Sequence, residues 1–288
     1  MAHLSDAERS RWERDGYVVP AWRLPQAKVD AMRAALERLI ADNPGIRPEK
    51  LVSAHIEGRN AEGAATNAEG AATNAEGAAT NAEGVAGSRA FLDLARDPDL
   101  VELVSDAIGE DVILWGCQVF CKPGGDGLET PFHQDGHYWP IRPLATCTIW
   151  LALDPSTREN GCLRVIPGSH RERRLYAHLR EDRSDLVLTQ RIVDPAFRES
   201  DAVDLELEPG QMSLHDVYMI HGANVNRSPK RRAGVAIRYM PGTSVFERGL
   251  IAPGDASGYR VDFSTRPLWL LRGRDRTGLN DFRVGHAL

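Results

Sequence analysis

From Asp111 onward the chain reads as short apolar runs cut by turn signals, and this punctuation constrains its fold more than any other feature. Lys122-Pro123-Gly124-Gly125, Asn160-Gly161, Pro167-Gly168 and Pro209-Gly210 mark turns, because proline presets φ and glycine admits the left-handed region. Between them lie strand-like runs such as Thr146-Cys147-Thr148-Ile149-Trp150-Leu151-Ala152-Leu153. Many short strands joined by such turns fold into a sandwich or a barrel, since each sheet must bury its apolar face against another layer. At 288 residues the chain has room for one well-buried domain, or at most two small ones. We expect one, spanning 1–288.

Helical text flanks this region. Ser5 and Glu8 form the two ends of a capping box. Residues 25–42 predict an amphipathic helix with Val29, Met32, Leu36 and Leu39 on one face and Pro25 in the first turn. Residues 97–108 predict another, capped by Asp97, opened by Pro98 and stopped by Gly109, with Leu100, Val104 and Ala107 as its buried stripe. Between them Asn-Ala-Glu-Gly-Ala-Ala-Thr occurs at 60–66, 67–73 and 74–80, and Asn81-Ala82-Glu83-Gly84 begins a further copy. Period seven invites a coiled coil, but no unit carries two apolar residues larger than alanine, and each carries a glycine, which costs a helix about 1 kcal/mol. The segment 60–84 therefore reads as a low-complexity loop insertion, tolerable because loop-closure entropy grows slowly with length.

Composition removes several classes of function. The net charge is −6 and the arginines are scattered, so no nucleic-acid footprint is present. No apolar run approaches the ~20 residues that span a bilayer, and Met1-Ala2-His3-Leu4-Ser5 has no secretion-signal pattern. Cys117, Cys121, Cys147 and Cys162 sit in apolar text and read as small buried hydrophobes. These features predict a cytoplasmic protein, monomer or homodimer, acting on a small molecule.

The chemistry gathers around His133-Gln134-Asp135, answered 88 residues later by His221 and then by Arg232. Two histidines and a carboxylate can hold one face of Fe(II) and leave the other open. On a strand, His133 and Asp135 would point to the same side. His215, six residues before His221, is a rival third ligand; His170 reads as structural. Arg232, eleven residues after His221, offers an always-charged fork for a carboxylate. Arg231 has the opposite parity, and Arg238 lies about 20 Å further along an extended strand. Metal plus carboxylate anchor points to 2-oxoglutarate as co-substrate.

The surrounding text sharpens this. Thr130-Pro131-Phe132 leads into the motif and Gly136-His137-Tyr138-Trp139-Pro140 leads out. Glu159-Asn160-Gly161-Cys162-Leu163, Val165-Ile166-Pro167-Gly168-Ser169-His170, Pro209 to His215 and Ile220-His221-Gly222-Ala223-Asn224 follow in order. With Gly16-Tyr17-Val18-Val19 near the start, this set resembles the phytanoyl-CoA dioxygenase family of Fe(II)/2-oxoglutarate oxygenases over about residues 98–240. The resemblance implies a mainly β protein with a double-stranded β-helix core (jelly-roll, cupin-like) and flanking helices. It implies His133, Asp135 and His221 as metal ligands and Arg232 as the 2-oxoglutarate anchor, with Gln118 and Trp150 against the co-substrate. Relatives can carry serine where this chain has Ala223; Thr148 is the candidate to compensate. Because Asp135 is present, where related halogenases carry alanine or glycine, the resemblance implies hydroxylation of an aliphatic C–H with release of succinate and CO2. His137, Trp139 and Arg142 are the candidate substrate residues, with Tyr138, Arg158, Trp269, Asn280 and Arg283 as weaker ones. Aromatic and cationic groups suit a small polar or anionic substrate: an amino-acid derivative, an organophosphonate or a secondary metabolite. The tail 266–273 reads equally as a lid or as an outer packing segment. The alternative reading is a metal-binding jelly-roll without oxygenase activity, a cupin-type isomerase or binding protein.

Overall fold

The computed structural model describes residues 2–60, 65–66, 72–73, 85–137, 139–181, 183–188, 190–250 and 263–286. Four helices precede the main strands: α1 (Asp6–Asp15), α2 (Gln26–Asp42), α3 (Arg89–Ala95) and α4 (Pro98–Ile108). The Ser5/Glu8 capping box is closed at both ends and starts α1. Pro25 is the N-cap of α2, whose buried face is Val29, Met32, Ala35, Leu36 and Leu39. Asp97 caps α4 through Asp99 N–H, and its buried residues are Leu100, Val101, Leu103 and Val104. Ala107 is only half-buried. Helix α3, unforeseen in the sequence, is short and starts at Ser88, whose side chain accepts from Ala90 N–H. No helix among the described residues is long and apolar enough to cross a membrane.

The strands that build the site are β1 (Tyr17–Val18), β2 (Val112–Lys122), β3 (Thr130–Gln134), β4 (Cys147–Ala152), β5 (Leu163–Val165), β6 (Val203–Leu205), β7 (Met212–Asp216), β8 (Ile220–Ala223), β9 (Arg232–Pro241) and β10 (Trp269–Arg272). They form a six-stranded sheet in the order β1-β7-β4-β9-β2-β10 and a four-stranded sheet in the order β6-β5-β8-β3. Every pairing in both sheets is antiparallel. This is the expected jelly-roll core. Alternation divides the larger sheet cleanly. Cys117, Val119, Cys121, Ile149, Leu151, Val235 and Ile237 pack outward on the helices. Trp150, Ala152 and Ala236 turn inward, against Leu163, Val165 and Leu205 of the smaller sheet. Each fully buried Leu, Ile or Val contributes about 1.5–3 kcal/mol, so the helical cover holds the large sheet while the inner face stays available for polar residues. All four cysteines are free and buried, and burial pushes the Cys117 and Cys121 thiols up to about 12. They pack as small hydrophobes.

The base of the repeat insertion is a two-stranded ladder, Gly58–Asn60 against Val85–Gly87. Within it Ala65–Thr66 pairs with Ala72–Thr73; the rest of 60–84 lies outside the described residues. The tail segment proves to be sheet: β10 pairs with β2 at the edge of the larger sheet, so 269–272 is outer packing rather than a lid.

Candidate metal centre and active-site cavity

Between the two sheets lies a cavity whose lining includes His133, Asp135, Thr148, Trp150, His215, His221, Arg232, Arg238 and Arg266. His133 and His221 are direct cross-strand partners on β3 and β8, with ring centroids 4.2 Å apart. Each is oriented by the same local device. The Nδ1–H of His133 donates to the Pro131 carbonyl at 2.8 Å, and that of His221 to the Met219 carbonyl at 3.0 Å. Both therefore present Nε2 to Asp135 Oδ1, at 3.5 Å and 3.9 Å. A histidine tied through one nitrogen to a carbonyl is the arrangement that metal ligands use.

The route by which Asp135 reaches the site differs from the sequence expectation. Strand β3 ends at Gln134, and Asp135 opens a short 3-10 turn, Asp135–His137. It is not a strand residue sharing a face with His133 by alternation. The turn is fixed because Gly136 N–H bonds the Val217 carbonyl, while a Cβ on Gly136 would lie 2.7 Å from Leu144. Gln134, between the two candidate ligands, is itself a clamp. Its amide donates to the Arg174 and Tyr218 carbonyls and accepts from Tyr176 N–H.

His133, Asp135 and His221 are the described residues whose ligand atoms all fall within 4.8 Å of one another. Burial holds the His221 imidazolium unfavourable, with His133 adding to it, so His221 stays well below its usual range and neutral. Burial works against the Asp135 carboxylate too, but His221, His133 and His215 outweigh it and hold it well below the usual range. Two imidazoles and one ionised carboxylate fit a divalent metal.

Arg232 lies at one end of the cavity, on the inner face of β9 opposite Lys122. Its Nε–H donates to the Gly161 carbonyl at 3.1 Å, Nη1 donates to the Phe120 carbonyl at 3.3 Å, and the guanidinium sits 5.1 Å from the Trp150 ring. Burial lowers its pKa to about 10, so it remains a cation at neutral pH. Arg231 points the other way and pairs with Asp154 at 2.8 Å and with Glu37. A buried guanidinium walled by Trp150 fits the carboxylate of a 2-oxo acid.

Other sequence candidates divide. Trp150, Thr148 and Trp139 line the cavity. Gln118 shares the inner face with Ala236, its register partner, and its amide has no hydrogen-bond partner among the described residues, yet it does not line the cavity. Thr148 pairs with Arg238 rather than Arg232, so its row is six residues, about 20 Å, from the anchor. The residue opposite Ala223 is Thr130, which does line the cavity. Arg142 donates to the Trp139 and Ile141 carbonyls and His137 stacks on His178 at 4.3 Å; neither lines the cavity. Trp269 packs on His55 and His286. Asn280 ties Phe246 N–H to the Ser244 carbonyl, while Arg158 and Arg283 are exposed and paired with Asp204 and Asp281. Tyr138 lies outside the described residues.

Sequence reasoning overlooked Trp115, Phe263, Arg266 and Lys122, and treated Arg238 only as a rival anchor. Trp115 reaches the cavity through a β-bulge: Arg238 pairs with Gly116 and Tyr239 with Leu114, leaving Trp115 as the extra residue. Arg238 and Arg266 converge over Gly116, where a Cβ would lie 3.5 Å from Arg266 Nη1 and 3.6 Å from Arg238 Cδ. Lys122 is buried and donates to the Ala223 and Asn224 carbonyls, and burial depresses its pKa well below normal.

Comparison with known proteins bears on the family and the fold. The family profile described as Phytanoyl-CoA dioxygenase (PhyH) matches residues 12–234. A probable phytanoyl-CoA dioxygenase of Caenorhabditis elegans is 26% identical over 249 residues, covering 82% of this chain and 75% of that protein. Phytanoyl-CoA dioxygenase domain-containing protein 1 homolog of Dictyostelium discoideum is 34% identical over 131 residues, and there the alignment spans 45% of each chain. Among solved structures, the apo non-heme monooxygenase ThoJ superposes with a TM-score of 0.65 at 21% identity, over 93% of this chain and 84% of that one. The epimerase SnoN in complex with Fe3+, alpha ketoglutarate and nogalamycin RO superposes with a TM-score of 0.60 at 21% identity, over 88% and 92%. These structural likenesses establish the shared fold.

Proposed function

The chain belongs to the phytanoyl-CoA dioxygenase family, and with it to the Fe(II)- and 2-oxoglutarate-dependent oxygenases; from that premise we propose that it hydroxylates an aliphatic C–H of a small anionic or polar molecule, releasing succinate and CO2. The carrying observation is one cavity that joins an imidazole and carboxylate set (His133, Asp135, His221) to a buried guanidinium, Arg232. The three-residue set would hold Fe(II), and Arg232 would bind the distal carboxylate of 2-oxoglutarate. When bound, iron and 2-oxoglutarate supply the activation of O2. The protein's own residues orient the co-substrate, keep water from the iron with Trp150, and seat the substrate.

The substrate end is read from the other wall of the cavity. Arg238 lies 5.2 Å from the Trp139 ring, and Arg266 lies 5.1 Å from Phe263. Two guanidinium groups among aromatic rings favour a compact anion with an apolar body. Asp135 favours hydroxylation over halogenation. We read residues 1–288 as one catalytic domain in a reducing cytoplasm, in keeping with the free cysteines.

The test is an anaerobic titration of the purified protein with Fe(II) and then 2-oxoglutarate. We expect one Fe(II) per chain, a weak visible charge-transfer band, and loss of both in His133→Ala, Asp135→Ala and His221→Ala. Undiminished iron binding in all three variants would refute the assignment. A panel of small acids and their neutral esters, screened for succinate release, addresses the substrate class; preference for the esters would overturn it.

A further inference from the structure

We propose that His215 is a positioning residue of the metal centre: its Nε2–H holds the outer oxygen of Asp135, so that Oδ1 is the oxygen presented between His133 and His221. The proposal rests on the metal-centre reading above.

The carboxylate of Asp135 is divided between two sets of partners. Oδ1 faces His133 Nε2 at 3.5 Å and His221 Nε2 at 3.9 Å, while Oδ2 faces His215 Nε2 at 3.8 Å. His215 comes from the opposite sheet. It stands on the inner face of β7, in register with Thr148, with its ring centroid 4.8 Å from that of His221, and it meets the carboxylate at the other oxygen. Asp135 needs such a support, because it sits in a 3-10 turn rather than in the ladder. Among the described residues, the cationic or imidazole side chains within 4 Å of its carboxylate are these three histidines.

The ring of His215 also makes no hydrogen bond to another described residue. The residue is 2% exposed. The neighbouring histidines differ: His133, His178 and His221 each bond Nδ1 to the carbonyl two residues earlier. A buried imidazole without partners is destabilising, and an apolar side chain of equal size would serve a purely structural role better. A shift of about 1 Å brings the 3.8 Å separation to hydrogen-bond length. A ligand role fits less well, since the set whose donor atoms lie mutually within 4.8 Å is His133, Asp135 and His221, without His215. Fixing the second oxygen of a ligating carboxylate sets its orientation and its basicity, and loss of such partners weakens metal binding by about 10–100-fold.

The experiment measures Mn(II) affinity, a redox-inert probe, by the electron paramagnetic resonance signal of the free ion in the full chain. Circular dichroism and the thermal melt report folding. His215→Phe keeps a ring but cannot donate; His215→Met is the second apolar variant should Phe not fold. His215→Gln retains an N–H. We expect about 10–100-fold weaker Mn(II) binding in the Phe or Met variant and recovery to within about threefold of the unsubstituted protein in Gln. Unchanged affinity in a folded Phe or Met variant overturns the positioning role. So does a loss in Gln as deep as that in His221→Ala, which would make His215 a ligand. No Mn(II) binding by the unsubstituted protein overturns the metal-centre reading, and this proposal with it.

Discussion

Two adjacent arginines at the start of β9 provide the sharpest test of the site, because one residue separates the proposed co-substrate anchor from a surface ion pair. Arg232 is 2% exposed and reaches into the cavity beside Trp150. Arg231 is partly exposed and bridges Asp154 and Glu37 on the outer face. Removing Arg232 would delete the proposed charge-assisted, two-pronged contact to a carboxylate, a loss of about 2–3 kcal/mol in binding. At about 1.4 kcal/mol per decade, that is a roughly 30- to 150-fold rise in the dissociation constant for 2-oxoglutarate. Arg232→Lys keeps the charge but loses the fork, so it should fall between alanine and the unsubstituted protein. Arg231→Ala removes surface pairs whose net contribution is about 0–1 kcal/mol. It should lower the melting temperature slightly and leave 2-oxoglutarate affinity within about twofold. The assay is an anaerobic titration of 2-oxoglutarate into the Fe(II) protein, followed by the visible charge-transfer band. Equal weakening at the two positions would refute the reasoning.

Two further substitutions probe the same wall and the insertion. In Gly234→Ala the new Cβ would lie 2.2 Å from Trp150 Cζ2, so we expect a loss of about 1–3 kcal/mol in denaturant melts and weaker 2-oxoglutarate binding as Trp150 is displaced. Stability and affinity both unchanged would mean that Trp150 does not pack as described. Deleting residues 67–80 should change stability by less than about 1 kcal/mol, because the ladder of Gly58–Asn60 with Val85–Gly87 still closes the loop. Uncoupled 2-oxoglutarate decarboxylation should persist, and loss of a cooperative melt would place the repeat in the core.

Local features were legible in the sequence because they depend on neighbours a few residues away. The Ser5/Glu8 box, the Asp97-Pro98 start and the Gly109 stop of α4 came out as their chemistry dictates. So did the opposed facing of Arg231 and Arg232, which needs nothing beyond extended backbone where the chain enters β9. Alternation failed where the strand was interrupted. Asp135 lies past the end of β3, and Trp115 is turned inward by a bulge that no residue pattern marks. His215 entered as a rival third ligand, and a turn separates its strand from that of His221. The packing of the two sheets nevertheless brings their ring centroids to 4.8 Å.

By itself, the sequence determined the capped helices α1, α2 and α4, the strand-and-turn character of the chain from Asp111 onward, and that two histidines, a carboxylate and an arginine are available for one chemistry. Only the tertiary structure decided that Asp135 approaches His133 and His221 from a turn, that His215 stands behind its second oxygen, and that Arg238 and Arg266, not Arg142, share the cavity with Trp139. The physical reason is range. Caps, turns and alternation are set by backbone geometry within a few residues. A site between two sheets depends on cross-strand register and on bulges, which residues distant in the chain impose on one another.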